Sequence, residues 1–479
     1  MATQYVRTAM LPPQAPPGTQ TGAVKWLREN LFSSWANGAL TLISVLVLFY
    51  FAQLAAPWLL HGVWNAASLA ECRASIATNF GPDAGGACWA MIHARWYQFI
   101  YGFYPATEWW RPILTFGLLF VALAPILFSD NRRSAVRLVG VVAALTLLSL
   151  FLAAAPLWVI AVAVAVLGAS LYLARQDIGK LLVLVMIYPF LTVWMLWGGS
   201  VWGPIMAMAG FGVLALVYRL LAARIGVVMA SAAGFVAACL WWLFLDAAAA
   251  DHVQALLPIA LEPVASDKFG GFLLAFVIGV ASIAISLPIG LLLALGRQSN
   301  MFLIKSLSVG FIEFVRGVPL ITMLFTASLL LQYFLPPNTN FDLILRVVIL
   351  VTLFSAAYNA EVIRGGLAAL PRGQYEAADA LGLDYWQAQR LIIMPQALKV
   401  SIPGIVSTFI GLFKDTTLVS FVGLADPLRG ITTIVRADIA WKGVYWEPYI
   451  FVGAIFFLVC FGMSRYSMYL EAKLKTDHR

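Results

Sequence analysis

Apolar and polar positions fall in long blocks along this chain, and the apolar blocks match the roughly 20 residues needed to cross a bilayer. Twelve candidate spans cover residues 38–60, 112–128, 136–153, 156–174, 180–198, 201–220, 226–246, 270–296, 304–334, 342–361, 399–421 and 449–470. The stretch 136–174 reads either as two spans or as one broken hairpin. The block 304–334 is too long for one straight span, which predicts an added interfacial piece. The pattern therefore predicts an all-α polytopic membrane protein with about 12 transmembrane helices.

Composition agrees. Of the 479 residues, 62% are hydrophobic and 11% charged, against about 25% charged in a soluble domain. The net charge of +8 raises a nucleic-acid reading, but the basic residues sit at the ends of apolar blocks, as the positive-inside rule expects. With the N-terminus placed in the cytoplasm, 20 of the 30 Lys and Arg lie in inside segments and eight outside, while Arg316 and Lys414 lie within spans. Both termini are expected to be cytoplasmic. Residues 1–30, rich in Pro, Gln and Thr up to residue 22, predict a disordered cytoplasmic tail. No secretory leader is visible, and the first apolar block is too long to be one.

The chain divides into two regions. Residues 31–265 read as an extension of about seven spans whose long polar loop, 57–111, lies outside the cytoplasm. Residues 266–479 hold five spans and most of the unusual polar features. The loop carries Trp64, Trp89, Trp96, Trp109, Trp110, Tyr97, Tyr101 and Tyr104. These suit an interfacial aromatic belt with pieces lying on the membrane, or else a docking surface for an outside partner. Cys72 and Cys88 share that loop and can either form a disulfide, if the loop is extracytoplasmic, or remain two inert thiols. Cys239 and Cys460 lie in apolar blocks as packing residues.

The segment 358–404 is too polar to span and is cytoplasmic by topology. Residues 374–381 predict a short Ala-rich helix ended by Gly382 in a left-handed cap. Asp384 can cap a second helix over 385–393, and Pro395 is expected to break it. The expected product is a knob of two short helices. Glu376, Ala377, Ala378, Gly382, Ile392, Met394 and Pro395 together resemble the EAA signature of ABC importer permeases, with Met394 standing where that pattern has Leu. The resemblance implies that Glu376, Ala377, Ala378, Gly382, Ile392 and Pro395 form coupling helices seated in a groove of a separate ATPase. The stretches 311–325, 360–382, 394–404 and 411–427 resemble the polar amino acid permeases (histidine, glutamate, glutamine, arginine and opine), most of all the M-type permease of general L-amino acid importers. This implies a MetI-like five-helix core over 266–479 in a bacterial inner membrane. The implied partners are a second, Q-type permease forming a heterodimer, two ATPase subunits that bind the ATP and Mg, and a periplasmic amino-acid-binding protein. No cofactor is implied for this chain.

Charges inside spans are costly and mark function. Glu313 and Arg316, three apart, can pair on one helix face, and the following Gly317-Val318-Pro319 is expected to break the helix. This pair lines a translocation path or else is a structural pair near the interface. Lys414, Asp415, Thr416 and Thr417 sit inside the block 399–421, where Asp415 with two hydroxyls could receive an α-ammonium group, or make helix–helix contacts.

Some chemistry is missing from the sequence. There is no G-x-x-x-x-G-K-[ST] loop, so the chain cannot supply the ATPase. His61, His93, His252 and His478 are scattered, with no metal-ligand spacing and no nucleophile–base set; no catalytic or metal residue is assigned. A polytopic enzyme would need clustered polar residues at a membrane face. An ion-coupled carrier would predict inverted repeats, and the two halves look unlike. A permease for another small polar solute remains the nearest alternative to an amino acid importer.

Overall fold

The computed structural model describes residues 22–129, 131–330, 333 and 342–474. The chain folds as two compact units, Met1–Ala94 with Asp438–Glu447, and Arg95–Ala437 with Pro448–Arg479.

In the first unit, α1 (Gly22–Asn30) is helical, so the end of the segment expected to be disordered is ordered; residues 1–21 lie outside the described residues. The second helix, α2 (Trp35–Leu60), starts at Ser34, whose hydroxyl accepts the Asn37 amide. None of its side chains is buried, and it is apolar all round, as a lipid-facing span is. Next, α3 (Leu69–Phe80) is capped by Ser68. Cys72 on α3 is bonded to Cys88. The amide of Val63 donates to the Ala87 carbonyl at 2.9 Å, and that of Ala90 returns to Val63 at 3.1 Å. These links fold residues 58–90 into a stapled cap.

The helix α4 (Ala90–Tyr101) begins in the first unit and ends in the second. The second unit continues with α5 (Trp110–Leu127), α6 (Arg132–Leu152), α7 (Leu157–Gln176), α8 (Leu182–Trp197) and α9 (Trp202–Ile225). Then α10 (Val227–Leu240) and α11 (Asp246–Leu256) join through a π-turn into one long span. The stretch 136–174 is thus two helices, not a broken hairpin. Leu118, Val121, Val139, Leu150, Val159 and Leu167 form the core of α5–α7.

After a two-residue ladder, β1 (Gly199–Ser200) with β2 (Ala260–Leu261), come α12 (Gly271–Gln298), α13 (Phe302–Gly317) and α14 (Leu320–Phe325). The long block 304–334 resolves here: the helices either side of Val318 and Pro319 bend by 102°. Proline at 319 cannot donate a helical hydrogen bond, and the broken backbone lies within protein. The Ser328 carbonyl in the following π-turn accepts Arg346 Nη1 at 3.0 Å. The rest of this block, 331–332 and 334, lies outside the described residues.

The remaining helices are α15 (Leu343–Ala368), α16 (Gly373–Ala380), α17 (Tyr385–Ala388), α18 (Met394–Asp415), α19 (Pro427–Ala437) and α20 (Trp446–Leu474). Among the described residues, 11 helices can cross a membrane, or 12 if the bent pair is one span. Close packing of α12 on α15 uses small residues, as lipid-embedded pairs do: a Cβ on Gly290 would stand 2.8 Å from Asn359 Cβ. Tyr101, Tyr104 and Leu196 share one core with Leu273, Val351 and Leu412. Packing within the second unit therefore runs continuously across residue 265.

The aromatic loop divides too. Trp64 is exposed, but Tyr101, Tyr104 and Trp110 are buried, and the Tyr104 hydroxyl donates to the Leu196 carbonyl at 2.8 Å. Part of the expected belt is protein core.

Candidate coupling loop and intramembrane cavity

The polar segment begins later than its sequence suggests. Tyr358 to Ala368 belongs to α15, because its charges are matched on neighbouring helices. Glu361 accepts from Arg364 one turn on and lies 3.3 Å from Arg297 of α12. Arg297 in turn reaches Glu313 of α13 at 2.8 Å. The expected Glu313–Arg316 pair does not form: Arg316 lies 3.9 Å from Glu361 and over the Tyr358 ring. A cross-helix partner is available to each charge, so the local i,i+3 pairing loses. The cluster ties together the ends of α12, α13 and α15 from which the loop departs.

The loop itself starts at Ala369. At the end of α16, the amide of Leu383 donates to Ala378 at 3.3 Å and that of Gly382 to Asp379 at 2.9 Å. With Gly382 at φ +67°, this is a Schellman ending, which needs a left-handed residue. Asp384 accepts the Gln387 amide while the Gln387 side chain accepts the Asp384 amide, a capping box that starts α17. Pro395 does not break the chain's helical course. A π-turn over Gln389–Ile393 leads into α18, and Tyr385–Val422 is one continuous run. The wider π-turn changes which carbonyl each amide meets, so the missing donor of Pro395, in the first turn of α18, is absorbed.

Tyr375 and Ile392 anchor the loop on the core of Ile363, Leu367, Ile393 and Ala397, and Gln396 donates to Gln374 at 2.9 Å. Partial burial, with Tyr385 adding, raises the Tyr375 hydroxyl pKa. Ala378 is buried and Ile392 half-buried, whereas Glu376, Ala377, Gly382 and Pro395 are exposed. Leu381, Tyr385, Trp386 and Leu391 are also exposed, giving the loop an outward apolar surface around Glu376. Such a patch on a polar segment marks an interaction site.

A cavity of about 240 Å³ lies between α14, α15 and α18, with Ser355, Tyr358, Thr408 and Asp415 as its polar lining among Leu320, Val351, Phe354 and Leu412. The Ser355 hydroxyl is buried without a hydrogen-bond partner among the described residues. Of the expected path residues, Asp415 faces this cavity. Thr416 and Thr417 turn their hydroxyls back to the carbonyls of Phe413 and Lys414, and Lys414 is not in the lining. Arg316 approaches through Tyr358, and Glu313 stays in the ion cluster. Sequence reading missed Glu361, Arg364 and Arg297 as a cluster and Ser355, Tyr358 and Thr408 as cavity lining. The i,i+3 spacing of Glu361 and Arg364 was the available signal.

A many-helix membrane bundle with a mainly apolar cavity that holds Asp415 and an exposed loop fits a transport subunit. Residues 286–476 match the family model of the binding-protein-dependent transport system inner membrane component. The chain is 60% identical over 477 residues to the glutamate/glutamine/aspartate/asparagine transport system permease protein BztC of Rhodobacter capsulatus, covering 100% of this chain and 99% of that one. It is 34% identical over 466 residues to the inner membrane amino-acid ABC transporter permease protein YhdY of Escherichia coli K12, covering 97% and 96% of the two chains. It is also 32% identical over 209 residues to the glutamate/aspartate import permease protein GltK of Escherichia coli O6:H1, covering 42% of this chain but 91% of that one. The chain belongs to the inner-membrane permease family of amino acid ABC importers.

Proposed function

We propose that this permease imports acidic and amide L-amino acids, the class in the name of the Rhodobacter relative, and that Glu376, Ala377, Ala378, Gly382, Ile392 and Pro395 couple it to a separate ATPase. Two ATPase subunits bind the ATP and Mg; an extracytoplasmic binding protein delivers the amino acid. A Q-type permease completes a heterodimer, since this chain has one coupling loop. Both termini and the loop face the cytoplasm. ATP-driven closure of the ATPase pair moves the loops, and the permeases rock about a central path that includes Asp415.

The observation supporting the coupling role is the rigid helix–Gly–helix element carrying Glu376 beside exposed Tyr385 and Trp386. A coupling joint must transmit force, and both its helix ends are locked by hydrogen bonds to the backbone. In vesicles holding the complete complex, uptake should require ATP and persist without any ion gradient. Glu376→Lys should abolish that uptake while leaving membrane insertion unchanged. Retained uptake would sink the coupling assignment, and gradient-driven uptake without ATP would favour an ion-coupled carrier.

A further inference from the structure

A second cavity, of about 190 Å³, lies wholly within the first unit and shares no lining residue with the Asp415 cavity. Its walls include Trp58, Cys72, Arg73, Cys88, Trp446 and Glu447. Two features make it a built site. The disulfide fixes one wall, with Cys72 and Cys88 both buried. Glu447 is a carboxylate only 6% exposed, held by the Cys88 amide, which donates to Oε1 at 2.7 Å. No ion pair joins Glu447 to any described residue. Burying a carboxylate with a single hydrogen bond is expensive, so a cationic group in the cavity would find its charge uncompensated. Arg73 supplies the opposite sign. Its side chain is exposed, lines the same cavity, and makes no ion pair or side-chain hydrogen bond among the described residues.

We infer that this cavity binds a small zwitterion bearing an α-ammonium and an α-carboxylate group, that is, a free amino acid. Glu447 receives the ammonium and Arg73 the carboxylate. Trp58 and Trp446 offer ring surface to the cation and to an apolar side chain. The volume is below the roughly 300–1,000 Å³ of sites for drug-sized ligands, which fits a single amino acid. Opposite charges set apart in one small cavity select a zwitterion over a simple amine or acid, because either of those leaves one protein charge unmatched. On the orientation proposed above, the site opens outside the cytoplasm; the ligand assignment does not depend on that orientation. The lining shares no residue with the Asp415 cavity, so it adds to the proposed path a second amino-acid subsite, built from residues 58–88 and 443–447 of the first unit.

The test is binding to the complete complex in lipid nanodiscs without its binding protein, using L-glutamine, propylamine and propionate as probes. Calorimetry and tryptophan fluorescence are the readouts. L-glutamine should bind saturably and at least 10-fold more tightly than either half-molecule. Arg73→Ala, at an exposed position that the fold tolerates, and Glu447→Gln, which keeps an acceptor for the Cys88 amide, should each weaken it about 10-fold. Binding that is indifferent to Arg73→Ala or equal for the half-molecules would overturn the assignment; ATP-driven uptake retained alongside that result would leave the transport reading standing. Absence of saturable binding would overturn it as well.

Discussion

At the residue scale, half-buried Asp415 and buried Asp426 illustrate opposite uses of a carboxylate within protein. Asp415 lines the same cavity as Ser355, whose hydroxyl has no partner among the described residues, a place where a substrate ammonium can replace the water both groups lose. Asp415→Asn should therefore cut ATP-driven uptake at least 10-fold with normal insertion and assembly. Uptake at the native rate would place the substrate elsewhere. Asp426, beyond the end of that span, is structural: its carboxylate accepts the amides of Leu428 and Arg429 and so starts α19. Burial outweighs those hydrogen bonds and pushes its pKa up from 3.8 to about 6. Below pH 3.8 the folded and unfolded chains both hold the proton. Between 3.8 and about 6 the folded chain keeps a proton that the unfolded chain has released, so this group's contribution to stability falls as pH rises through that window. Asp426→Asn removes the charge while keeping one acceptor. It should raise the thermal midpoint of the detergent-solubilised protein at pH 7.5 and change it little at pH 4; an equal shift at both would show that charge burial is not the cause.

At the element scale, the helix–Gly–helix loop around Gly382 was legible because its signals are local. Gly382 announces a left-handed cap and Asp384 a helix start, and both are read from neighbours within a few residues. The continuation through Pro395 was not legible, since it depends on a π-turn whose spacing no single residue announces. The ion cluster failed for a different reason. Glu313 and Arg316 are suitably spaced on one helix, but Arg297 and Glu361 come from helices whose adjacency only the fold supplies. The same holds for the cavity: Asp415 is conspicuous in a span, whereas Ser355 and Thr408 become significant only once α15 lies against α18. Since Gly382 carries φ +67°, Gly382→Ala should cost about 1–2 kcal/mol locally, fraying the end of α16. In the full complex it should lower transport-coupled ATP turnover several-fold with little change in expression. Unchanged coupling would mean that the Schellman ending is dispensable.

At the scale of the whole molecule, the span pattern gave the helix count closely because bilayer thickness imposes a length on every apolar block. It did not give the grouping of those helices. The division near residue 265 marks where chemistry changes, while packing places residues on both sides of it in one core. GltK aligns over 91% of its length with 42% of this chain, so the extra spans are an addition to what that shorter relative carries, and they are shared at full length with BztC and YhdY. This bears on assembly. On the coupling role proposed above, one chain carries one such loop, whereas a permease pair closing on two ATPase subunits would need two. A second copy of this chain could supply the other, but it would also bring a second extension and a second stapled cap. A Q-type partner would bring the second loop without a second copy of this chain's extension and cap. The heterodimer therefore predicts that this chain and the ATPase, reconstituted without a second permease, show under about one-tenth of the uptake of the full complex. Addition of the Q-type chain should restore it, and crosslinking should then capture one of each permease per particle. Full uptake from this chain and the ATPase alone would instead establish a homodimer, with two extensions flanking one path.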